Sequence, residues 1–329
     1  MRQLTAIHLT LYPPSPRVSF TTSCNSAITK YPFENGRRYH AFKSGSYPLP
    51  NDELELDRLN VVHHMLKKAL DDRLFLAPVA ADTIHRVLDL GTGTGIWTVE
   101  MADKYPQAEF LGNDLSPLQP AWVPPNVRFE VDDIESGWAY SGPFDYIFCR
   151  ALACAVGDWP KLVRQAYANV RPGGWAEFQD FDMSFYSEDD SYSNESDTAK
   201  FMRLLREATR GAGAGKEASP GPRLEQWVRD AGFENIVHQK IKLPLGPWPK
   251  DTRQKEVGLF NLSQTLDGLE AFSMRLFTSV LKWEPLEVEV LCAKVRKELK
   301  TKDAHRIQDF HVVYGRRPTR ASSSTSSSP

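Results

Sequence analysis

The sequence predicts an α/β fold on a mostly parallel sheet, and three observations carry that prediction. Short apolar, β-branched runs alternate with segments of helical periodicity from His85 to Asp182. A glycine-rich turn joins the first of these runs to the first helix after it. Two later runs, FENIVHQKIKLPL and FHVVYGRRP, read as hairpin-like partners although a helical stretch separates them.

The elements follow in order. From Asn51 to Leu76 the residues Leu59, Val62, Leu66, Ala69, Leu70 and Leu74 recur at helical spacing, and the Asn-Asp start can cap a helix. The strands HRVLDL, AEFLGND, VRFEVDD, FDYIFCRA and GWAEFQDFD come next, with helices expected at Ile96–Tyr105 and Trp159–Val170. Asp158 before Trp159 and Pro160 marks a helix start, and Pro172-Gly173-Gly174 is expected to close that helix. Beyond Asp182 the acidic stretch SEDDSYSNESD reads as a surface loop, followed by a helix near Thr198–Arg210 and a flexible GAGAG. PRLEQWVRDAG suggests a helix closed by Gly232, and two or three amphipathic helices fill about 249–302, a natural place for a substrate lid. The expected division is a disordered tail at 1–30, a helical cap at 31–82, the main domain at 83–320 and a second tail at 321–329.

Composition narrows the function. The 329 residues are 41% hydrophobic and 25% charged, with net charge −2, so no basic field attracts a phosphate backbone, and a nucleic-acid substrate is not expected. No apolar run approaches the ~20 residues of a membrane helix, so no membrane association is expected and the chain is placed in the cytoplasm or nucleus. Cys24, Cys149, Cys154 and Cys292 have no histidine at ligand-like spacing, which suits a reducing compartment and predicts no metal site. The first 33 residues lack Asp and Glu, as transit peptides do, but Pro13, Pro14 and Pro16 would break a targeting helix.

The chemistry concentrates in VLDLGTGTGIW, residues 87–97, where an apolar strand ends in Asp89 and glycines stand at 91, 93 and 95 before a helix. Glycines permit positive φ and close approach of backbone to a ligand. A dinucleotide site would require a third glycine where Ile96 stands. Asp89 would repel phosphates but attract the α-ammonium group of S-adenosylmethionine (SAM), so the acid favours SAM as cofactor. Asp114, nineteen residues beyond Gly95 and ending the second strand, is placed to accept from ribose hydroxyls. Asp132 or Asp133 ends the third strand; strand alternation after Val131 favours Asp133 at the adenine amino group, with the Ile134 N–H facing the ring.

Four segments, YPFENGRRYHAFKSGSYPLPNDELELDRLNVVHH at 31–64, VLDLGTGTGIW, NDLSP and VRPGGWAEFQD, give the chain a close resemblance to the fungal LaeA-like group of class I methyltransferases. The resemblance covers roughly residues 31–182. It implies a Rossmann-like, seven-stranded sheet with its last strand antiparallel, SAM as methyl donor, and a role around fungal secondary metabolism. Members include nuclear regulators that work with velvet-type partners as well as tailoring enzymes. It places Asp89, Gly91, Gly93 and Gly95 at the methionine end of SAM, Asp114 at the ribose, and Asp133 with Ile134 at the adenine, and Leu115 is counted among the cofactor-binding residues.

Tyr31, Arg37 and Tyr39 lie in a segment crowded with Tyr, Arg and His that is expected either to fold over the cofactor or to pack against the long helix. Arg150 ends the fourth strand, where it can meet an anionic acceptor or the SAM carboxylate. The candidate bases are His40, His63 or His64, and Asp180 or Asp182, and of the two adjacent histidines at most one can face the site. The leading expectation is methylation of a small-molecule hydroxyl. The rival is a SAM-binding regulator acting through a protein partner or through protein methylation, and an NAD-dependent oxidoreductase is disfavoured by Asp89 and Ile96.

Overall fold

The computed structural model describes residues 28, 30–120, 122–212, 215–301 and 303–319. The tails expected at 1–30 and 321–329 therefore lie outside the described residues, apart from positions 28 and 30.

A two-stranded hairpin comes first, β1 at Phe33–Glu34 and β2 at Arg37–Arg38. Asn35 and Gly36 make its turn at φ 49° and 75°, the left-handed pair that a two-residue hairpin turn requires. Helix α1, Glu53–Ala69, begins where the Asp52 carboxylate accepts the Glu55 N–H. Glu53 and Glu55 sit in its first turn and Lys67 and Lys68 in its last, complementing the helix dipole. It stops short of the expected Leu76 because Asp71 and Asp72 adopt φ 56° and 60°, a conformation no right-handed helix continues through.

The seven-stranded sheet comprises β3 (Arg86–Leu90), β4 (Glu109–Asp114), β5 (Val127–Val131), β6 (Phe144–Arg150), β7 (Val170–Tyr186), β8 (Glu234–Pro244) and β9 (Ile307–Arg316). Its order is β5-β4-β3-β6-β7-β9-β8, with β9 antiparallel to both neighbours and β3 to β7 parallel. This is the Rossmann-like arrangement. The helices α2 (Ile96–Lys104), α3 (Trp159–Asn169), α4 (Asp197–Gly211) and α5 (Leu224–Asp230) fill the connections, and α6 (Thr252–Ser279) and α7 (Pro285–Leu299) stand between β8 and β9.

Period-two alternation sends successive strand residues to opposite cores. Val87, Tyr146 and Phe148 pack with Met65, Leu66, Trp97 and Met101 under α1 and α2. Leu88, Ile147 and Phe178 pack with Trp159, Leu162 and Trp227 under α3 and α5. A third cluster joins α4, α6 and α7 through residues such as Phe201, Leu205, Phe277 and Leu291. One boundary differs from expectation: α3 ends at Asn169, and Pro172-Gly173-Gly174 falls inside the start of β7. A Cβ on Gly174 would lie 2.7 Å from the Asp145 carbonyl oxygen, so the glycine serves strand contact and not helix closure.

Candidate active site

Strand β3 is the point from which the sheet is wound in both directions, and the carboxyl ends of parallel strands at such a point leave a crevice. Here the crevice is a cleft of about 1260 Å³ roofed by α1 and the loop before it. Gly91, Gly93, Asp114, Leu115, Asp133, Ile134, Arg150, His40 and His63 all line it, so the fold brings together residues spread over more than a hundred positions.

The glycine bend divides its labour in a way the spacing alone does not reveal. Gly91, Gly93 and Gly95 have φ 64°, 56° and 78°, which favours glycine at each. A Cβ on Gly95 would strike the Phe129 ring at 2.6 Å, so this glycine serves packing, whereas one on Gly91 would meet only the end of the Leu152 side chain at 2.6 Å, and Gly91 lines the cleft. A Cβ on Gly93 would find nothing nearer than Leu59 at 3.8 Å, which leaves its backbone open to the cleft. Gly95 caps α2 and does not line the cleft.

Asp89 is a correction. It is expected against an ammonium group, but it does not line the cleft; it lies buried beneath the bend, accepting 2.6 Å hydrogen bonds from the Thr92 and Thr98 hydroxyls. Burial pushes its carboxyl up to about 6. Asp114 takes up the other side of the bend, with one oxygen accepting from the Gly93 N–H at 2.9 Å and the other from the Ser116 N–H at 3.1 Å. Asp133 is bonded to Lys43 and accepts from Ser136 at 3.1 Å; burial would raise its carboxyl, but the Lys43 ammonium holds it below the usual carboxylate range.

Of the two arrangements open for the amino-terminal aromatics, the structure has the packed one, against their assignment to the cofactor. Tyr31, Arg37 and Tyr39 do not line the cleft. Arg37 forms a two-pronged ion pair with Asp52 at 2.6 and 2.8 Å, tying the hairpin to the α1 cap. Tyr31 lies under Arg38 and the fully buried Tyr39 under Arg275. They are spent on packing: Arg37 is held by the Asp52 carboxylate, and each tyrosine ring lies against a guanidinium.

Of the candidate bases, His63 faces inward and His64 is exposed, as the helical angle between neighbours requires. His63 Nδ1 lies 2.8 Å from Arg150 Nη2 and therefore accepts, while Nε2 lies 3.2 Å from Glu100. Burial and then the Arg150 charge push His63 down to about 3, so it is a poor base at neutral pH. Asp182 is another correction, since it lines neither cavity and accepts from Ser184 and Ser219. Asp180, fully buried, holds the Leu152 and Phe181 N–H groups. His40 lines the cleft with Nε2 at 3.2 Å from the Lys43 carbonyl and Nδ1 without a partner.

A second cavity, about 910 Å³ and predominantly apolar, adjoins the first and shares Tyr47, Leu59, Val62 and Ala151 with it. Phe181, Phe185, Phe201, Met202 and Leu205 line one side, and Leu269, Phe272, Val295 and Leu299 from α6 and α7 the other. Ala151 at φ 57° and Cys154 at φ 65° shape the wall between the two, a conformation that costs a non-glycine residue about 1 to 3 kcal/mol. Asp180 holds this wall in place. The sequence offers no local signal for the chamber, because its residues come from separate segments spread between Tyr47 and Gln308.

The cleft lining carries Glu55, Asp114, Asp132, Asp133 and Glu135 and one guanidinium, Arg150; Glu55, Asp133 and Glu135 are already paired with Arg58, Lys43 and Lys216, which leaves Asp114 and Asp132 without an ion-pair partner among the described residues. Two such carboxylates suit hydroxyl or cationic groups of a ligand and oppose a pyrophosphate. Fold and cleft together define a class, the SAM-dependent methyltransferases. A family described as methyltransferase domain matches residues 61–239, and the chain belongs to it, within the fungal LaeA-like group. It is 46% identical to methyltransferase pytC of Aspergillus terreus over 91% of this chain and 92% of that one. It is 38% identical to the secondary metabolism regulator LAE1 of Cochliobolus heterostrophus, covering 87% and 94%. It is 35% identical to the protein-methionine methyltransferase laeA of Emericella nidulans, covering 93% and 82%. The chain is accordingly a SAM-dependent methyltransferase, and no helix among its described residues is long and apolar enough to cross a membrane.

Proposed function

We propose that this methyltransferase transfers the methyl group of SAM to an apolar small molecule seated in the second cavity. The observation that carries the reading is the contiguity of the acidic cleft with a mostly apolar chamber through Tyr47, Leu59, Val62 and Ala151. In this reading Gly91, Gly93 and Arg150 border the methionine end of SAM, Asp114 and Leu115 the ribose, and Asp133 and Ile134 the adenine. Asp89 and Gly95 act one step removed, by holding the bend. Bound SAM supplies an electrophilic methyl group, and the protein has to align a nucleophile with it and exclude water.

Lys43 lies on Asp133 and must share or release that carboxylate when an adenine amino group approaches. Arg150 remains charged at neutral pH, since burial lowers its guanidinium only to about 10. Among the candidate bases His40 and His63 both line the cleft and each keeps a ring nitrogen without a hydrogen-bond partner; burial lowers both, and His63 falls to about 3, which leaves His40 as the better base.

Met183 and Met202 also line the chamber, which supports a second reading in which a methionine side chain is the acceptor, as the name of the Emericella nidulans relative suggests for that protein. The test is incubation with methyl-deuterated SAM and fungal extract, followed by mass spectrometry of both the small molecules and the intact protein. A labelled small-molecule product is the expected result. Label found only on protein would transfer the role to methionine. SAM binding with no labelled product of either kind would instead support a regulator acting through a partner.

A further inference from the structure

We propose that the acceptor enters the chamber as an oxyanion, the conjugate base of an acidic enol or phenol, held by Arg58 and methylated without a base supplied by the protein. The proposal rests on the reading of the chamber as the acceptor site.

The chamber's ionisable lining is its basis. Among the described residues that line it there is no Asp, Glu or His; the titratable side chains are Tyr47, Cys154 and Arg58. Burial pushes the Cys154 thiol up to about 12 and raises the Tyr47 hydroxyl as well, so both already hold their protons at neutral pH. A neutral alcohol seated here would find no group to take its proton. An acceptor that ionises in water, before entry, needs none.

What the chamber does provide is one cation. Arg58 projects from α1, is 7% exposed, and donates through Nε and Nη2 to Glu55 at 2.9 and 2.6 Å and through Nη1 to Gln264 of α6 at 2.9 Å. These three bonds leave two of the five guanidinium N–H donors. Glu55 lines the cofactor cleft and not the chamber, whereas Arg58 lines the chamber and not the cleft, so the pair presents its positive end to the acceptor. The Phe272 ring, 4.8 Å from the guanidinium carbon, fixes its plane. A buried ion pair is a weak source of stability, and two charged N–H donors in a wall whose other polar groups, such as Thr198, Gln264, Thr265 and Gln308, are neutral are matched by an oxyanion better than by any neutral group.

The step balances without a further reactant. A lone pair of the acceptor oxygen forms the new O–CH3 bond, the C–S bonding pair returns to sulfur, and S-adenosylhomocysteine leaves. The acceptor's proton has already passed to bulk water. The competing arrangement has His40 as base across the cleft, and it is distinguishable because its titration belongs to the protein and not to the acceptor.

The test uses the full chain with four probes: 4-hydroxy-6-methyl-2-pyrone and 4-hydroxycoumarin as acidic enols, 1-naphthol as a weaker acid, and 1-naphthalenemethanol as a neutral alcohol. Calorimetry on protein saturated with S-adenosylhomocysteine reads binding, and transfer from labelled SAM reads rate against pH. The enols are expected to bind at least about ten-fold more tightly than the alcohol, the cost of one charge-assisted hydrogen bond. The midpoint of the pH–rate curve should move from probe to probe with the probe's own ionisation. Arg58→Lys keeps a charge beside Glu55 and should weaken the enols by about ten-fold or more while leaving the alcohol as it was. Equal use of enol and alcohol, one midpoint for every probe, no binding of either enol, or an Arg58→Lys variant that treats enol and alcohol alike would each overturn the proposal. Failure of the unmutated protein to bind SAM would show separately, and would remove the cofactor cleft along with it.

Discussion

Gly93 and Gly95 stand two positions apart in one bend, yet the space around them predicts opposite phenotypes. Gly93→Ala projects a methyl group toward the cleft from a backbone at φ 56°, so SAM affinity should fall by about ten-fold, with a stability loss near 1 kcal/mol from the strained conformation. Gly95→Ala drives its Cβ into the Phe129 ring, so the loss should fall on stability, about 1 to 3 kcal/mol. Calorimetry with SAM and urea denaturation separate the two. Asp180 allows a pH test. Burial raises its carboxyl to about 7 in the folded protein, so its stabilising contribution is complete below the unfolded carboxylate value and is lost as pH rises through about 7. Relative to Asp180→Asn, which cannot titrate, the unmutated protein should lose on the order of 2 to 4 kcal/mol between pH 4 and pH 8. A pH-independent difference in denaturation midpoints would contradict this. At this scale the sequence discloses positions better than partners: Asp114 is legible because a strand end nineteen residues past a glycine bend has one place to go. Asp89 is misread because the Thr92 and Thr98 hydroxyls that consume it carry no distinctive pattern.

Among the elements, strands and helices of the sheet are legible because apolar alternation and turn residues are local. The hairpin β1–β2 is missed although Asn35-Gly36 announces it, since two-residue strands give periodicity nothing to count. That hairpin is bound to α1 through Asp52, which caps the helix and receives Arg37 in the same carboxylate. Asp52→Ala should cost about 1 to 3 kcal/mol in urea denaturation, and the loss should be shared by Arg37→Ala more than by Tyr31→Ala. In α6, the Gly258 carbonyl accepts from Gly246, and a Cβ on Gly258 would stand 2.1 Å from the Gly246 carbonyl oxygen. Gly258→Ala should therefore destabilise the protein by about 1 to 3 kcal/mol despite the higher helix propensity of alanine. A stabilised variant would show that the close approach of α6 to the β8 end is not obligatory.

For the whole molecule, the decisive arrangement is two adjoining cavities of opposite character under one helix. The acidic cleft is readable from the sequence because β3, β4 and β5 deliver their carboxyl ends to the same edge in any sheet wound this way. The apolar chamber is not, because α4, α6 and α7 come together only in three dimensions. Ligand linkage ties the cleft to stability: SAM at a hundred times its dissociation constant should raise the unfolding free energy by about 2.7 kcal/mol. The most direct test is calorimetric titration of SAM into the unmutated protein and Asp114→Ala. A single site per chain is expected, weakened by about 1 to 3 kcal/mol in the variant. Equal affinity in the two proteins would contradict the assignment of this cleft.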